Sequence, residues 1–106
     1  EEEAMSSRDQ QLRLALSTGR VQLGSKQAVR ELRRGRAKMA ILSSNCPKEM
    51  KESIENYGRL GEIPIWHHDK DSVDLGMLCG KPYPVSTIVI NDPGDSRILD
   101  IVKEEE

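Results

Sequence analysis

Val85-Ser86-Thr87-Ile88-Val89-Ile90 is the most β-branched run in the chain. Valine, isoleucine and threonine are stiff at the first side-chain torsion and pack well on a pleated surface. Such a run favours a strand, and we expect this one to be the central strand of a sheet.

Three further extended segments precede this strand in the sequence. They are Val21–Leu23, Met39–Leu42 and Ile63–His67. Pro64 indicates that the last of them lies near the edge of a sheet or starts late, because proline cannot donate a ladder hydrogen bond. Caps, glycines and helical spacing predict helices between the strands. The helices are expected from Ser7 to Gly19, from Gly24-Ser25 to Gly35, from Pro47 to Gly61, from Asp71 to Gly80, and from Asp92-Pro93 onward.

The predicted helices have an apolar side that should face the sheet. The inward residues are expected to be Leu12 and Leu16, then Ala28, Val29 and Leu32, then Met50, Ile54, Tyr57 and Leu60, and last Ile98, Ile101 and Val102. Strands that alternate with helices imply βαβ units. The sequence therefore predicts the α/β class, with the elements packed as a three-layer α/β/α sandwich.

The chain has 106 residues, the size of one ordinary domain, and residues 1–106 are expected to form a single domain. Hydrophobic residues make up 36% and charged residues 32%, a composition that can still build a core. No apolar run approaches the roughly 18 residues that cross a bilayer, so no membrane association is expected. Only two cysteines, Cys46 and Cys79, are present, which favours a reducing cytosol over a secreted disulfide scaffold.

Charge is distributed unevenly along the chain. Of the 18 acidic side chains, six form the terminal triplets Glu1–Glu3 and Glu104–Glu106. The first triplet is the reverse of a basic targeting segment. The intervening residues carry the other 12 acids and all 16 bases, a net charge of +4. Lys26–Lys38 alone holds six bases against Glu31. A basic helix of this kind attracts phosphate, although a solvated helix face is the alternative interpretation.

No catalytic constellation stands out in the sequence. Gly19 and Gly24 lack the spacing and the Lys-Ser/Thr ending of a phosphate-binding loop, and Ser43-Ser44 lacks the glycines of a hydrolase nucleophile. Cys46 begins a helix, where a thiol pKa can be lowered, but a small capping or buried residue is the alternative. Cys79 is expected in the core. The sequence therefore predicts a protein that is not an enzyme.

His67-His68-Asp69 is the segment that most suggests a metal site. Neighbouring side chains on a strand point to opposite faces, so the two histidines cannot easily grip one ion. Trp66 beside them is expected to pack in the core. We therefore expect no bound metal, no cofactor and no small-molecule substrate.

Three polar loop segments qualify as a binding surface, because sites in α/β folds gather where strands end and helices begin. They are Leu23-Gly24-Ser25-Lys26, Ser44-Asn45-Cys46-Pro47 and Gly80–Val85. Gly24 permits a close backbone approach, and the helix N-terminus after it favours phosphate. Asn45 can donate and accept at a base edge, and Tyr83, between two prolines, can stack on an unpaired base. Capping and loop packing are alternatives for each residue, but together with the basic helix they favour RNA.

Several stretches of the chain match one known family at that family's spacing. They are Val21–Gln27, Arg34–Lys38, Ile41–Pro47, Ile54–Tyr57, Asp74–Gly76, Cys79–Lys81 and Asp92–Ser96. In these stretches the sequence resembles the L-thirty-e family of archaeal and eukaryotic large-subunit ribosomal proteins, within the kink-turn RNA-binding superfamily. The resemblance extends from about Leu12 to Leu99, nearly the whole chain.

The resemblance implies a four-stranded mixed sheet within the α/β/α sandwich. It also implies that Asn45 reads a guanine of sheared G·A pairs, while the late loop contacts an extruded base. Tyr83 occupies the family's ring position, Pro84 stands where eukaryotic members carry a basic residue, and Ser25 replaces an aromatic or basic one. The residues expected to bind RNA are Leu23, Gly24, Ser25, Lys26, Ser44, Asn45, Lys48, Lys81, Tyr83, Pro84 and Val85.

The resemblance further implies a structural constituent of the large ribosomal subunit that binds a kink-turn in ribosomal RNA. Its expected partners are that RNA and neighbouring ribosomal proteins, and its expected location is the cytoplasmic ribosome. A free regulator that binds a kink-turn in its own transcript is the alternative within the family. A small hydrolase or redox enzyme that uses Cys46 or the His67-His68-Asp69 segment is the alternative from a different class.

Overall fold

The computed structural model describes residues 7–100. Its helices and strands alternate along the chain. In order they are α1 (Ser7–Thr18), β1 (Arg20–Leu23), α2 (Ser25–Arg33), β2 (Met39–Leu42), α3 (Lys48–Gly61), β3 (Ile65–His67), α4 (Ser72–Leu78) and β4 (Thr87–Asp92). Residues 98–100 are again helical. Within residues 7–100, no helix combines the length and the apolar character needed to cross a membrane.

The four strands form one mixed sheet in the order β1-β4-β2-β3. β4 is antiparallel to both of its neighbours, β1 and β2, whereas β2 and β3 are parallel. The prediction of a four-stranded mixed sheet is therefore confirmed, with the β-branched run at its centre. β3, which follows Pro64, lies at an edge, as that proline predicted.

Strand register brings four loop attachments to one end of the sheet. Leu42, the last residue of β2, pairs with Thr87, the first residue of β4, and also with His67, the last of β3. Leu23, the last residue of β1, pairs with Ile88. The segments that leave β1, β2 and β3 and the segment that enters β4 therefore meet at this end, which we call the loop end of the sheet.

The core consists of two apolar layers, one on each face of the sheet. Because side chains alternate along a strand, Ile88 and Ile90 of β4 point to one face and Val89 to the other. The first layer adds Leu12 and Ala15 of α1, Leu75 of α4 and Ile98, and the second adds Ala28 and Leu32 of α2 and Ile54 of α3. These two helical layers around one sheet confirm the three-layer α/β/α sandwich.

The end of α3 differs from the prediction. Leu60 was expected to face inward, but its side chain is 74% exposed. The buried position one turn after Ile54 is Gly58, where an added Cβ would lie 2.6 Å from Ile65 Cδ1. Leu60 follows two residues later, about 200° further round the helix, and points to solvent. The left-handed residue after α3 is Glu62 (φ 56°) rather than Gly61.

The predicted last helix begins later than Asp92-Pro93. Asp92 still belongs to β4, and its Oδ1 accepts the Gly94 N–H at 2.9 Å, which closes a turn. Gly94 has a φ of 62°, so the chain cannot enter a right-handed helix there. Ser96 Oγ accepts the Ile98 N–H at 3.0 Å, and the helical residues begin at Ile98. The predicted inward residues Ile101 and Val102 lie outside the described residues, as do both acidic triplets.

Candidate nucleic-acid interface

The loop end of the sheet gathers the three predicted binding segments. Two backbone hydrogen bonds continue the strand pairing past the strands: Gly24 N–H donates to Thr87 O at 2.9 Å, and Ser43 N–H donates to Ser86 O at 2.9 Å. The turn before α2 and the loop before α3 therefore flank the entry to β4 from either side. The register of the strands, and not proximity in the sequence, therefore brings together the polar residues that flank separate strands.

Gly24 opens α2 in a conformation that suits glycine. Its φ is 109°, and an added Cβ would meet nothing within 4 Å, so the requirement is conformational rather than steric. No side chain caps α2, which leaves its first N–H groups available for an anion. Ser25 Oγ lies 3.3 Å from Thr87 Oγ1, so its hydroxyl points toward the sheet, while Lys26 is exposed. This turn presents backbone donors and one ammonium group.

The Asn45 amide is held in one orientation by three hydrogen bonds. Its Oδ1 accepts the Ser72 N–H at 2.8 Å and the Ser43 hydroxyl at 3.0 Å. Its Nδ2 donates to Ser72 Oγ at 3.3 Å. An amide oxygen has two lone pairs and an amide nitrogen two hydrogens, so the oxygen is saturated and one N–H remains. Asn45 is exposed and can therefore offer a base edge a donor, but not an acceptor.

The loop from Lys81 to Val85 is anchored by its backbone and exposes a ring. Lys81 N–H donates to Gly76 O and Val85 N–H to Ser72 O, both at 2.9 Å. An added Cβ on Gly76 would lie 2.2 Å from Tyr83 O, so only glycine in α4 lets the loop approach this closely. The Tyr83 side chain is nevertheless 52% exposed, as a stacking surface requires.

The predicted binding residues do not all reach the surface. Val85 is only 3% exposed and Leu23 is half-buried, and both pack in or against the first core layer. Ser44 is exposed but uses its N–H to bond Lys70 O at 2.9 Å. The exposed members at the loop end are Lys26, Ser44, Asn45, Lys48, Lys81, Tyr83 and Pro84.

A basic groove leads away from Gly24 along α2. It has a volume of about 570 Å³ and an apolar floor from Val29 and Met50. Its walls carry the cations Lys26, Arg30, Arg33 and Arg34. The groove begins at Ser25 and Lys26, which follow Gly24, so one end of the predicted basic helix face adjoins the loop end. Such a surface can follow a polyanion beyond the loops.

Three residues that the sequence analysis did not single out hold this surface together. Thr87 is fully buried, contacts Ser25 and also bonds the Cys46 side chain. Ser72 bonds the Asn45 side chain twice and accepts the Val85 N–H. Gly76 admits the Tyr83 backbone. A threonine among isoleucines and valines was the only signal for Thr87, and no local signal distinguishes the other two.

Neither thiol has the properties of a nucleophile. Burial raises the pKa of Cys46, and the bond from Thr87 and the charge of Lys51 offset this only in part. Burial likewise raises the pKa of Cys79 to about 11, with a smaller lowering by Lys81. The possibility that a helix N-terminus lowers the Cys46 pKa is therefore wrong. Thiolates, not thiols, react, so both side chains are poor nucleophiles at neutral pH.

The two histidines lie in different surroundings. His67 is exposed, and its Nε2 lies 2.6 Å from Glu55 Oε2 of α3. His68 is buried, with its Nε2 2.7 Å from Asp9 Oδ1 of α1. Among residues 7–100, no three histidine, cysteine, aspartate or glutamate side chains are grouped to hold a metal ion. Trp66 is 7% exposed and packs in the core as predicted.

These features define a class: an α/β/α sandwich whose loop end and adjoining helix expose hydrogen-bond donors, cations and an aromatic ring. The model of the "Ribosomal protein L7Ae/L30e/S12e/Gadd45 family" matches residues 7–100, and the chain belongs to this family. The resemblance noted in the sequence is thereby confirmed. The family is not known for enzymes, which confirms the interpretation that the chain is not one.

Curated relatives are similar over most of the chain. The "Large ribosomal subunit protein eL30" of Methanothermobacter thermautotrophicus is 47% identical over 94 residues, covering 89% of this chain and 96% of its own length. The eL30 of Methanococcus vannielii is 44% identical, covering 88% of this chain and 89% of its own. A solved structure from Bacillus halodurans, titled as a protein with unknown function, has a TM-score of 0.74 and covers 96% of this chain and 99% of that one. At 24% identity it shows the fold alone.

Proposed function

We propose that this protein is a structural constituent of the large ribosomal subunit, located in the cytoplasmic ribosome, that binds a kink-turn in ribosomal RNA. Its partners are then that RNA and neighbouring ribosomal proteins, with no catalytic step. The eL30 relatives, named as large-subunit proteins, support the ribosomal assignment. We also propose that residues 1–106 are one RNA-binding domain whose acidic termini lie outside the described residues.

The observation that carries the RNA assignment is the fixed Asn45 amide at the loop end. Its one remaining N–H faces an acceptor on a base edge, and guanine O6 and N7 are such acceptors. An adenine or cytosine amino group would instead find no free lone pair on Oδ1. A sheared G·A pair exposes a guanine edge to such a donor, which supports the kink-turn as the target.

The neighbouring groups supply the sequence-independent part of binding. The open N-terminus of α2 and Lys26 can bind a phosphate, and the groove along α2 can follow the strand that leaves it. The exposed Tyr83 ring offers a stacking partner to a base extruded at the kink. Donor, cation and ring thus match the three parts of a kinked RNA: base edge, backbone and extruded base.

Asn45→Asp is the sharpest variant for testing this proposal. The carboxylate keeps acceptors for the Ser72 N–H and the Ser43 hydroxyl, and it lies near the N-terminus of α4, where negative charge is favourable. It removes the N–H donor and adds a charge that repels RNA. We expect kink-turn binding to weaken by about 1–3 kcal/mol or more, while the melting temperature stays close to that of the wild type.

The measurement is the affinity of wild type and variant for a kink-turn RNA and for a straight duplex of equal length. The wild type should prefer the kinked RNA, and Asn45→Asp should lose that preference. Asn45→Ala is less informative, because it also takes the acceptor from the Ser72 N–H. Equal affinity of the wild type for both RNAs would contradict the kink-turn assignment, and failure to co-sediment with large ribosomal subunits would contradict the ribosomal one.

A further inference from the structure

His68 and Asp9 form a buried polar pair that the RNA contacts described above do not use. His68 is 3% and Asp9 5% exposed, and His68 Nε2 lies 2.7 Å from Asp9 Oδ1. The imidazole also packs against Trp66, with ring centroids 4.6 Å apart. Burying polar groups is costly unless their hydrogen bonds are satisfied. Each of the two ring nitrogens is therefore expected to have a hydrogen-bond partner.

The second ring nitrogen of His68 holds the backbone two residues further along. Nδ1 accepts the Lys70 N–H at 3.1 Å, so the ring hydrogen is on Nε2 and is donated to Asp9. Asp69 Oδ1 also lies 3.1 Å from Nδ1, but a carboxylate cannot donate to that lone pair, and the Asp69 side chain is 96% exposed. His68 thus connects α1 on one side with the chain segment 68–72 on the other.

Segment 68–72 in turn holds the loop that carries Asn45. The Lys70 carbonyl accepts the Ser44 N–H at 2.9 Å, one residue before Asn45. Ser72 donates its N–H to Asn45 Oδ1 at 2.8 Å and accepts Asn45 Nδ2–H at 3.3 Å. Every step from the buried ring to the Asn45 amide is therefore a hydrogen bond or one or two residues of backbone.

We propose that His68 is a positioning residue for RNA recognition. By accepting the Lys70 N–H, the ring fixes segment 68–72 against the Asn45 loop. Ser72 then completes, with Ser43, the saturation of Asn45 Oδ1 and leaves one N–H of Asn45 pointing outward. Asp9 holds the ring in the required tautomer. The inference rests on the proposed function, because it concerns how the same site obtains its specificity from a residue that does not touch the RNA.

Two amide substitutions separate positioning from mere core packing. Asparagine places its oxygen near the Nδ1 position and can accept the Lys70 N–H two residues on, but it does not reach Asp9. Glutamine can reach Asp9 with its Nε2 but offers no acceptor at the Nδ1 position. On our proposal His68→Asn keeps kink-turn affinity within about twofold of wild type, whereas His68→Gln loses about fivefold or more. We expect the opposite order for thermal stability, because His68→Asn removes the ring's hydrogen bond to the buried Asp9.

The RNA-free protein provides an independent readout. Amide hydrogen exchange of Ser44 and Ser72 should be faster in His68→Gln and unchanged in His68→Asn, since only the glutamine variant releases the Lys70 N–H. All affinities are measured at a temperature where each variant is fully folded by circular dichroism. The salt dependence of binding should be the same in both variants, because neither substitution removes a phosphate contact.

The proposal is wrong if RNA affinity follows thermal stability, if the two variants bind equally, or if Ser44 and Ser72 exchange at wild-type rates in His68→Gln. Each of these outcomes makes His68 a structural core residue. A failure of the proposed function gives a different result: the wild-type protein itself would not prefer the kinked RNA over the straight duplex. In that case the role in RNA recognition is also overturned, and the exchange rates still decide whether His68 holds the segment.

Discussion

The backbone and the side chain of Tyr83 have different surroundings. Its carbonyl packs so closely on α4 that residue 76 must be glycine, whereas half of its ring faces solvent. A residue that served only to fill a loop would bury its ring. The exposed large hydrophobic residues in the described part of the chain also include Val73 and Met77 of the same helix. Together with Tyr83 they expose apolar surface on α4 and on the loop anchored to it.

Tyr83→Leu tests the stacking role. Leucine keeps apolar volume but removes the ring, and base–aromatic stacking is worth about 1–3 kcal/mol. We expect kink-turn affinity to fall several-fold and the melting temperature to change little, because the ring is exposed and the backbone anchors remain. Titration of the RNA and a thermal melt on the same sample measure both quantities. Tyr83→Phe keeps the ring and should bind like wild type, while a melting point that drops with unchanged affinity would favour loop packing.

The hydrogen bonding of Asn45 was only partly predictable from the sequence. Asn45 was predicted to read a base edge with both a donor and an acceptor, but Ser43 and Ser72 occupy its acceptor. Ser43 is two residues away and could have been considered. Ser72 is 27 residues away, and its contact depends on how β3 and α4 turn back, which no local pattern encodes. The residue type predicted that Asn45 carries a donor and an acceptor. It could not predict that other residues of the chain already occupy the acceptor.

At the scale of elements, α2 combines an inner apolar face with an outer row of cations. Ala28 and Leu32 are buried, while Lys26, Arg33 and Arg34 are exposed around the groove. Lys38 is a further exposed cation of the same basic segment, but it precedes β2 and lies at the end of the sheet opposite the loop end. The chain thus offers matched lysines near to and far from the proposed interface.

Lys26→Ala should flatten the salt dependence of RNA binding. Each phosphate contact that releases a counterion contributes about one unit or slightly less to the slope of log affinity against log salt. We expect the slope of Lys26→Ala to be smaller by about one unit, and Lys38→Ala to leave it near the wild-type value although it removes the same charge. Binding isotherms at four or five salt concentrations measure these slopes. An equal change in both variants would indicate a general charge effect rather than a contact at α2.

Elements were predicted well where they are periodic and less well where they end. β2 has the predicted bounds, and Asp71 caps α4 as expected, with its Oδ1 accepting the Asp74 N–H at 2.9 Å. The inner face of α3 was misread because Gly58, which has no side chain to count as apolar, occupies a buried position against Ile65. Periodicity detects large apolar residues, and it therefore misses a close approach that depends on a small one.

At the scale of the whole molecule, the fold places residues from four separate stretches at one end of a sheet. The sequence predicted the strands, but their order and register come from how the layers pack, because β4 must enter between β1 and β2. The resemblance to a family implied a four-stranded mixed sheet, but neither the order nor the register of its strands. The residues alone gave only the hypothesis that Gly24, Asn45 and Tyr83 lie close together. The register of the strands explains why their loops meet at one end of the sheet.

Folding stability of the whole molecule should depend on the protonation of Cys79. This half-buried thiol packs against the first core layer, and burial raises its pKa from 9.0 to about 11. Above pH 9 the unfolded chain releases the thiol proton while the folded chain retains it until about pH 11, so stability from this group is complete below pH 9 and is lost as pH rises to 11. Urea midpoints at pH 8 and pH 10.5 measure the loss.

Cys79→Ala removes this titration but leaves every lysine and tyrosine that also titrates at alkaline pH. The difference between wild type and variant therefore isolates the thiol, and we expect the urea midpoint of the variant to fall less between the two pH values. Cys46→Ala is the matched control, because it removes the other thiol of the chain and leaves the titration of Cys79 in place. The same drop in midpoint for wild type and Cys79→Ala would show that the Cys79 thiol is not held neutral. A thiol that stays neutral through this range also cannot serve as a nucleophile at physiological pH, which ties the folding measurement to the non-enzymatic role.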